Sequence, residues 1–327
     1  MRWKGRRQSN NIDDRRGEAP PAGSGRSMNL AGGLGVMKVL FALFSKGSGK
    51  TKLFLIAGVA ILVLVFNVGN IRDSLFGGMA APAQSETSNS NTLNPKNEQQ
   101  QPKSEPGKAQ QDENGKFLGV ILAANEDLWK KQLPKYGIRY RDPRLVIYNV
   151  GTRMPGGVAD ARMGPFYLPS NEHIYIDPTF FDEMETKFGV KGEFARAYVV
   201  SHEFGHHIQN IMGRTTALHK KHGKISNTQY NRESVRLELH ADFLAGVFAH
   251  HDDKNFNSLD RKDIQSAMEC ARAIGDDRLQ KQAGGRVRPD HFTHGTSEQR
   301  AKWFMKGYTT GDLRVGEQLY TMDYDDL

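Results

Sequence analysis

The chain has 327 residues, a formal net charge of +8 and a sequence pI of about 9.4. The charge is confined to one end, because residues 1–52 carry 11 basic and 3 acidic side chains while the rest is close to balance; this excludes a basic nucleic-acid groove beyond residue 52, and no nucleic acid is expected as a partner. The lone Cys270 excludes an internal disulfide.

Residues 1–52 read as a basic arm. The run from Leu53 to Val68 has no charged residue and, extended to Ile71, approaches the roughly 20 residues that cross a bilayer. A transmembrane helix is therefore expected at 53–71. Lys and Arg before it predict a single-pass protein with its N-terminus in the cytoplasm and all that follows outside. Gly47-Ser48-Gly49-Lys50-Thr51 resembles the end of a phosphate-binding loop, but Phe44 stands where the opening glycine belongs. The arm is too long for a cleavable signal peptide, and Leu34–Phe44 is too short to span and suits the membrane surface. Residues 72–115 form a polar linker, rich in Ser, Asn, Gln and Pro from residue 79 onward, that tethers without folding.

A folded domain is expected over 116–327. Its pattern gives a helix at 117–133, a strand at 145–148 and a hairpin of 165–168 with 173–177 around Ser170-Asn171-Glu172. Helices follow at 194–212, 228–250, 261–273 and 297–307. The class is α+β.

Within the first of these later helices lies His202-Glu203-Phe204-Gly205-His206. Four-residue spacing puts both imidazoles on one helix face, where they can grip one metal ion, Zn2+ being the usual choice. Glu203 is then the candidate catalytic base, since metal-bound water has a pKa near about 7 and yields its proton to a nearby carboxylate. Chance alone would place this pattern in roughly one such chain in fifty, so its surroundings decide. Phe194, Ala197, Tyr198, Ile208, Ile211 and Met212 make the flanks a buried helix, with Gly213 as its stop.

The second helix carries Glu238 and Asp242 on one face amid Val235, Leu239, Phe243, Val247 and Phe248. Two acids in so apolar a stretch need partners. The pair resembles that of thermolysin-like gluzincins, and the resemblance implies Glu238 as third zinc ligand and Asp242 as the carboxylate holding His202 by its outer nitrogen. His207 lies about 100° round the helix from His206 and faces elsewhere, as does His240 relative to Glu238. The longer metzincin pattern fails at Gln209 and Met212. His219 and His222, among lysines, read as a surface loop. His294 is a candidate oxyanion stabiliser, the alternative being a structural residue before a helix.

Arg2-Trp3-Lys4-Gly5-Arg6-Arg7, Asp14-Arg15-Arg16, Met163 to Tyr167, Ser201 to Gln209, Arg236 to Gly246, Ile274 to Leu279 and Phe292 to Arg300 resemble the bacterial YpfJ-type neutral zinc metallopeptidases. The resemblance implies a membrane-anchored bacterial protein with a zincin-like domain, for which a small mixed sheet packed on the active-site helix is expected; with the charge pattern, this puts the anchor in the bacterial cytoplasmic (inner) membrane and the catalytic domain extracytoplasmic. Family members often carry cysteine where this chain has Leu168 and Phe243, so any disulfide there is missing. In zincin folds an edge strand beside the active helix pairs with extended substrate, and Ile174–Asp177 is the expected strand. The function expected is a zinc metalloendopeptidase acting on peptides or proteins. The alternative is a non-catalytic membrane-anchored binding protein with a structural zinc, which would need four closed protein ligands.

Overall fold

The computed structural model describes residues 1–21, 106–284 and 286–327. The expected transmembrane helix at 53–71, the Leu34–Phe44 stretch and nearly all of the linker lie outside these residues. No helix among the described residues is long and apolar enough to cross a membrane.

The described strands are β1 (Ile12–Asp14), β2 (Arg144–Ile147), β3 (Gly151–Met154), β4 (Gly157–Asp160), β5 (Phe166–Leu168) and β6 (His173–Ile176). The main sheet runs β1-β2-β6-β5, with β5 antiparallel and the other three parallel. Leu145, Val146, Ile147, Ile174, Tyr175 and Ile176 are β-branched, aromatic or otherwise apolar and are covered on both faces, as the centre of a parallel sheet requires. The expected hairpin is present. Its second strand is not an edge, however: β6 lies between β2 and β5, so Ile174–Asp177 cannot take a further strand, and the edge nearest the motif helix is β5. β3 and β4 form a separate hairpin across Pro155-Gly156, where Gly156 adopts φ +88°.

Helices are α1 (Pro106–Gln132), α2 (Thr179–Phe188), α3 (Glu193–Ile211), α4 (Arg214–Lys221), α5 (Asn227–Phe256), α6 (Arg261–Ala273), α7 (Asp276–Gln282), α8 (Ser297–Thr310) and α9 (Leu313–Gly316). Reciprocal capping boxes start three of them, Ser226 with Gln229 on α5, Asp260 with Asp263 on α6 and Thr296 with Gln299 on α8. α5 meets α8 backbone to backbone. A Cβ on Gly246 would fall 2.0 Å from the Phe304 carbonyl oxygen, and one on Gly307 would fall 2.0 Å from that of Phe243. α3 and α5 approach almost as closely, since a Cβ on Gly205 would lie 3.1 Å from the Ala241 carbonyl oxygen.

Residues 1–16 are not a detached arm. Trp3 is buried edge-on against Phe117, with ring centroids 5.3 Å apart, and its indole N–H donates to Glu193 at 2.9 Å. Arg6 pairs with Asp252, Arg7 donates to Asp127 and the Ala123 carbonyl, and Ser9 and Asn11 both donate to Glu126. β1 then joins the sheet, Ile12 beside Leu145 and Asp14 beside Ile147. His219, expected in a loop, lies on α4.

Trp3→Ala removes a buried indole and its hydrogen bond, and should cost about 3 to 5 kcal/mol. Denaturant unfolding of the full chain measures this; an unchanged midpoint would mean that the N-terminal segment is not docked.

Candidate metal centre

The centre is built where α3 crosses α5. Nearly every side chain of α3 from Phe194 to Gln209 is buried, so the two imidazoles emerge from a rigid, packed element. Gly205 and Ala241 are small at the crossing, and their contact brings Glu238, one turn earlier on α5, over His202 and His206.

One donor atom from each of His202, His206 and Glu238 lies within 4.8 Å of the others. His202 Nε2 is 3.3 Å from Glu238 Oε2, and His206 Nε2 is 3.6 Å from Glu238 Oε1. Tetrahedral zinc with bonds of about 2.0 to 2.1 Å holds its ligands roughly 3.4 Å apart, so these donors need little adjustment to fit the ion. Burial pushes the His206 imidazole down to about 4, which leaves it neutral and able to ligate. On His202 burial acts in the same direction, but the Asp242 carboxylate outweighs it and lifts the ring to about 9. Glu238 stays well below the usual carboxylate range although burial opposes this, because His206, His294 and His202 surround it. The raised ring reports the carboxylates beside it and the depressed acid reports the imidazoles around it, so Glu238 stays ionised and available to a cation between the donors.

Both ligand histidines are held by their outer nitrogens. His202 Nδ1 meets Asp242 Oδ1 at 2.8 Å, as expected from the sequence. His206 Nδ1 meets Gln209 Oε1 at 2.9 Å, and the Gln209 amide donates to the Leu237 carbonyl at 2.6 Å. Gln209, which spoils the metzincin pattern, is therefore the residue that orients the second ligand. Asp242 is itself anchored. Arg300 Nε donates to Asp242 Oδ2 at 2.8 Å and Nη2 to Oδ1 at 3.0 Å, and the Tyr198 hydroxyl also donates to Oδ1. Asp242 and Arg300 are both fully buried. Arg300 ended a segment of family resemblance in the sequence, but no local pattern assigned it a role; a charged residue on the α8 face that includes Ala301 and Phe304 was the available signal.

Glu203 is buried beside the donors without joining them. Burial pushes its carboxyl up to about 7, against the His202 imidazole and the Tyr167 backbone on β5, which favour the charged form. The Tyr167 hydroxyl meets His207 Nδ1 at 3.0 Å and accepts from Asn210 at 3.1 Å, while His207 Nε2 donates to the Arg141 carbonyl at 2.9 Å. His207 thus ties α3 to the strand beside Glu203, and faces away from the metal group as its helical angle predicts. His240 likewise faces away, with Nδ1 on the Tyr320 hydroxyl.

His294 is buried just before α8. Asp276 Oδ2 accepts from the consecutive amides of Thr293, His294 and Gly295, while its Oδ1 lies 3.3 Å from His294 Nδ1. Burial opposes charge on this ring, but Glu238 and Asp276 overcome it and raise its pKa. The structure therefore gives His294 a firm structural seat and brings it within reach of the Glu238 charge.

A family model described as "Putative neutral zinc metallopeptidase" matches residues 1–318. YpfJ of Escherichia coli (strain K12), named as uncharacterised, is 39% identical over 312 residues, covering 95% of this chain and 96% of that protein. An uncharacterised Mycobacterium tuberculosis (strain ATCC 25618 / H37Rv) protein is 38% identical over 221 residues, 62% of this chain and 71% of its own. No solved structure matches.

Arg300→Met strands a buried carboxylate and should destabilise the fold by about 3 to 5 kcal/mol. Asp242→Leu combined with Arg300→Met should recover part of that loss, because neither charge is then left alone. Urea unfolding of both variants checks this, and equal stability of Arg300→Met and wild type would refute it. Asp242→Asn should weaken zinc binding by roughly 10- to 100-fold, read by competition with a chelator.

Proposed function

The chain belongs to the neutral zinc metallopeptidase family, and on that premise we propose that it is a gluzincin-like endopeptidase, with Glu203 as general base and His202, His206 and Glu238 as the ligands of Zn2+. The observation that carries this reading is the separation between the three donors and Glu203. Among the described residues no fourth donor closes the group, and the remaining acid, Glu203, is buried on the same helix as the two histidines without joining it. A structural zinc would take four protein ligands, whereas a catalytic one keeps a position open. The non-catalytic binding protein is thereby disfavoured.

A zinc ion held here would polarise a scissile carbonyl and bring the pKa of water near about 7. Glu203 is suited to take that proton, because a base works best when its pKa lies near the operating pH, and burial has raised it to about 7. The same carboxyl then passes the proton to the leaving amine. Asp242 and Gln209 keep the two imidazoles facing inward throughout. His294, the candidate oxyanion stabiliser, retains a proton at neutral pH more readily than a free histidine, through Glu238 and Asp276. The β5 edge, which lies against α3, is the proposed support for extended peptide substrate. The apolar run at 53–71 makes a lipid bilayer the second proposed partner.

Glu203→Gln should keep close to one zinc per chain and lose peptide hydrolysis by roughly 100-fold or more. Metal content and cleavage of a denatured protein substrate, measured side by side on both forms, test this. Full activity in Glu203→Gln would eliminate the mechanism. Zinc in both forms with no cleavage by wild type would restore the binding protein as the better reading.

A further inference from the structure

We infer that residues 1–16 and the metal-binding domain occupy the same aqueous compartment within one chain. The sequence expectation was the reverse, with the arm inside and the domain outside of a single crossing. The contacts are incompatible with that separation. A hydrocarbon core is about 30 Å thick, whereas the Leu145 amide donates to the Asn11 carbonyl at 2.9 Å and the Arg15 amide to the Ile147 carbonyl at 2.7 Å.

These contacts are part of the core and cannot be given up cheaply. Without residues 1–16, the β2 edge would expose unpaired amides and carbonyls. Phe117 would lose the indole that covers it. Glu126 and Asp252, both almost fully buried, would lose Ser9, Asn11, Arg7 and Arg6, and a buried acid without partners is costly.

The orientation signal changes as well. Of the 11 basic residues in 1–52, Arg6 pairs with the buried Asp252, Lys4 and Arg7 pair with Glu113 and Asp127 at the surface of the domain, and Arg15 and Arg16 pair with their neighbours Asp13 and Asp14. Residues consumed in folding are poor evidence for a free cytoplasmic arm. The consequence is functional. The centre around His202 and Glu203 faces whichever compartment holds the N-terminus.

The test uses the full chain in intact cells and sealed membrane vesicles. Arg7 and Asp127 form an ion pair with both side chains about half exposed (51% and 60%); replacing Arg7 leaves the buried Glu126 its partners Ser9 and Asn11, and the native Cys270 is buried. Arg7→Cys and Asp127→Cys, made singly, are treated with a membrane-impermeant maleimide, with wild type as background. Both should be labelled, or both protected, in each preparation. In the double variant a short thiol cross-linker should join the two positions at monomer mass. Labelling from opposite sides, or the absence of a cross-link, would overturn the inference. Cross-linking only at dimer mass would overturn its one-chain half, by showing that the strand is exchanged between copies.

Discussion

A carboxylate sealed from water must be compensated on every side, and Asp242 is that group here. Arg300 grips it with two N–H groups from α8, Tyr198 donates from α3, and His202 meets it through Nδ1. Three helices thus converge on two oxygen atoms. Desolvation raises the cost of charge on Asp242, and the Arg300 guanidinium with His202 more than offsets it, holding the carboxyl below its ordinary range. The same arrangement fixes which nitrogen His202 turns toward Glu238. A metal-ligating tautomer and a folding constraint are therefore one requirement.

That convergence is possible only because the helices come unusually near one another. Gly246 opposite Gly307 removes two side chains where α5 meets α8, and Gly205 opposite Ala241 does the same where α3 meets α5. Gly205 occupies one of the free positions of the metal motif, yet a larger residue there would push α5 away and move Glu238 off the imidazoles. The α5–α8 contact sets the height of Arg300 over Asp242 in the same way. Small residues at the crossings thus determine the ligand distances of 3.3 and 3.6 Å.

The parts legible in the sequence share a local cause. His202 and His206, like Glu238 and Asp242, are related by helical spacing, and the helices carrying them are marked by periodic apolar residues, so a one-dimensional pattern sufficed. The β5–β6 hairpin announced itself through its turn. Arg300, Gln209 and Tyr198 act through partners that spacing alone does not identify: Arg300 reaches residues 58 and 98 positions away, and Gln209 looked like a failed ligand. α2 and α4 are short and β3 and β4 are fringe elements, each dependent on what it packs against. β1 was the deepest concealment, because a three-residue strand in a basic stretch ahead of an apolar run reads as a topological signal.

β1 also forms one edge of the sheet. A four-stranded sheet has two edges, and both are liabilities unless something covers or uses them. Residues 12–14 extend the sheet past β2, so the edge on that side is the three-residue β1, with Arg15 fastened to Asp13, Thr152 and the Arg153 carbonyl just beyond. The other edge, β5, runs beside α3, and its Tyr167 backbone favours the charged form of Glu203. Of the two edges, β5 is the one beside the candidate base, and that position is what makes it the edge proposed to receive extended peptide.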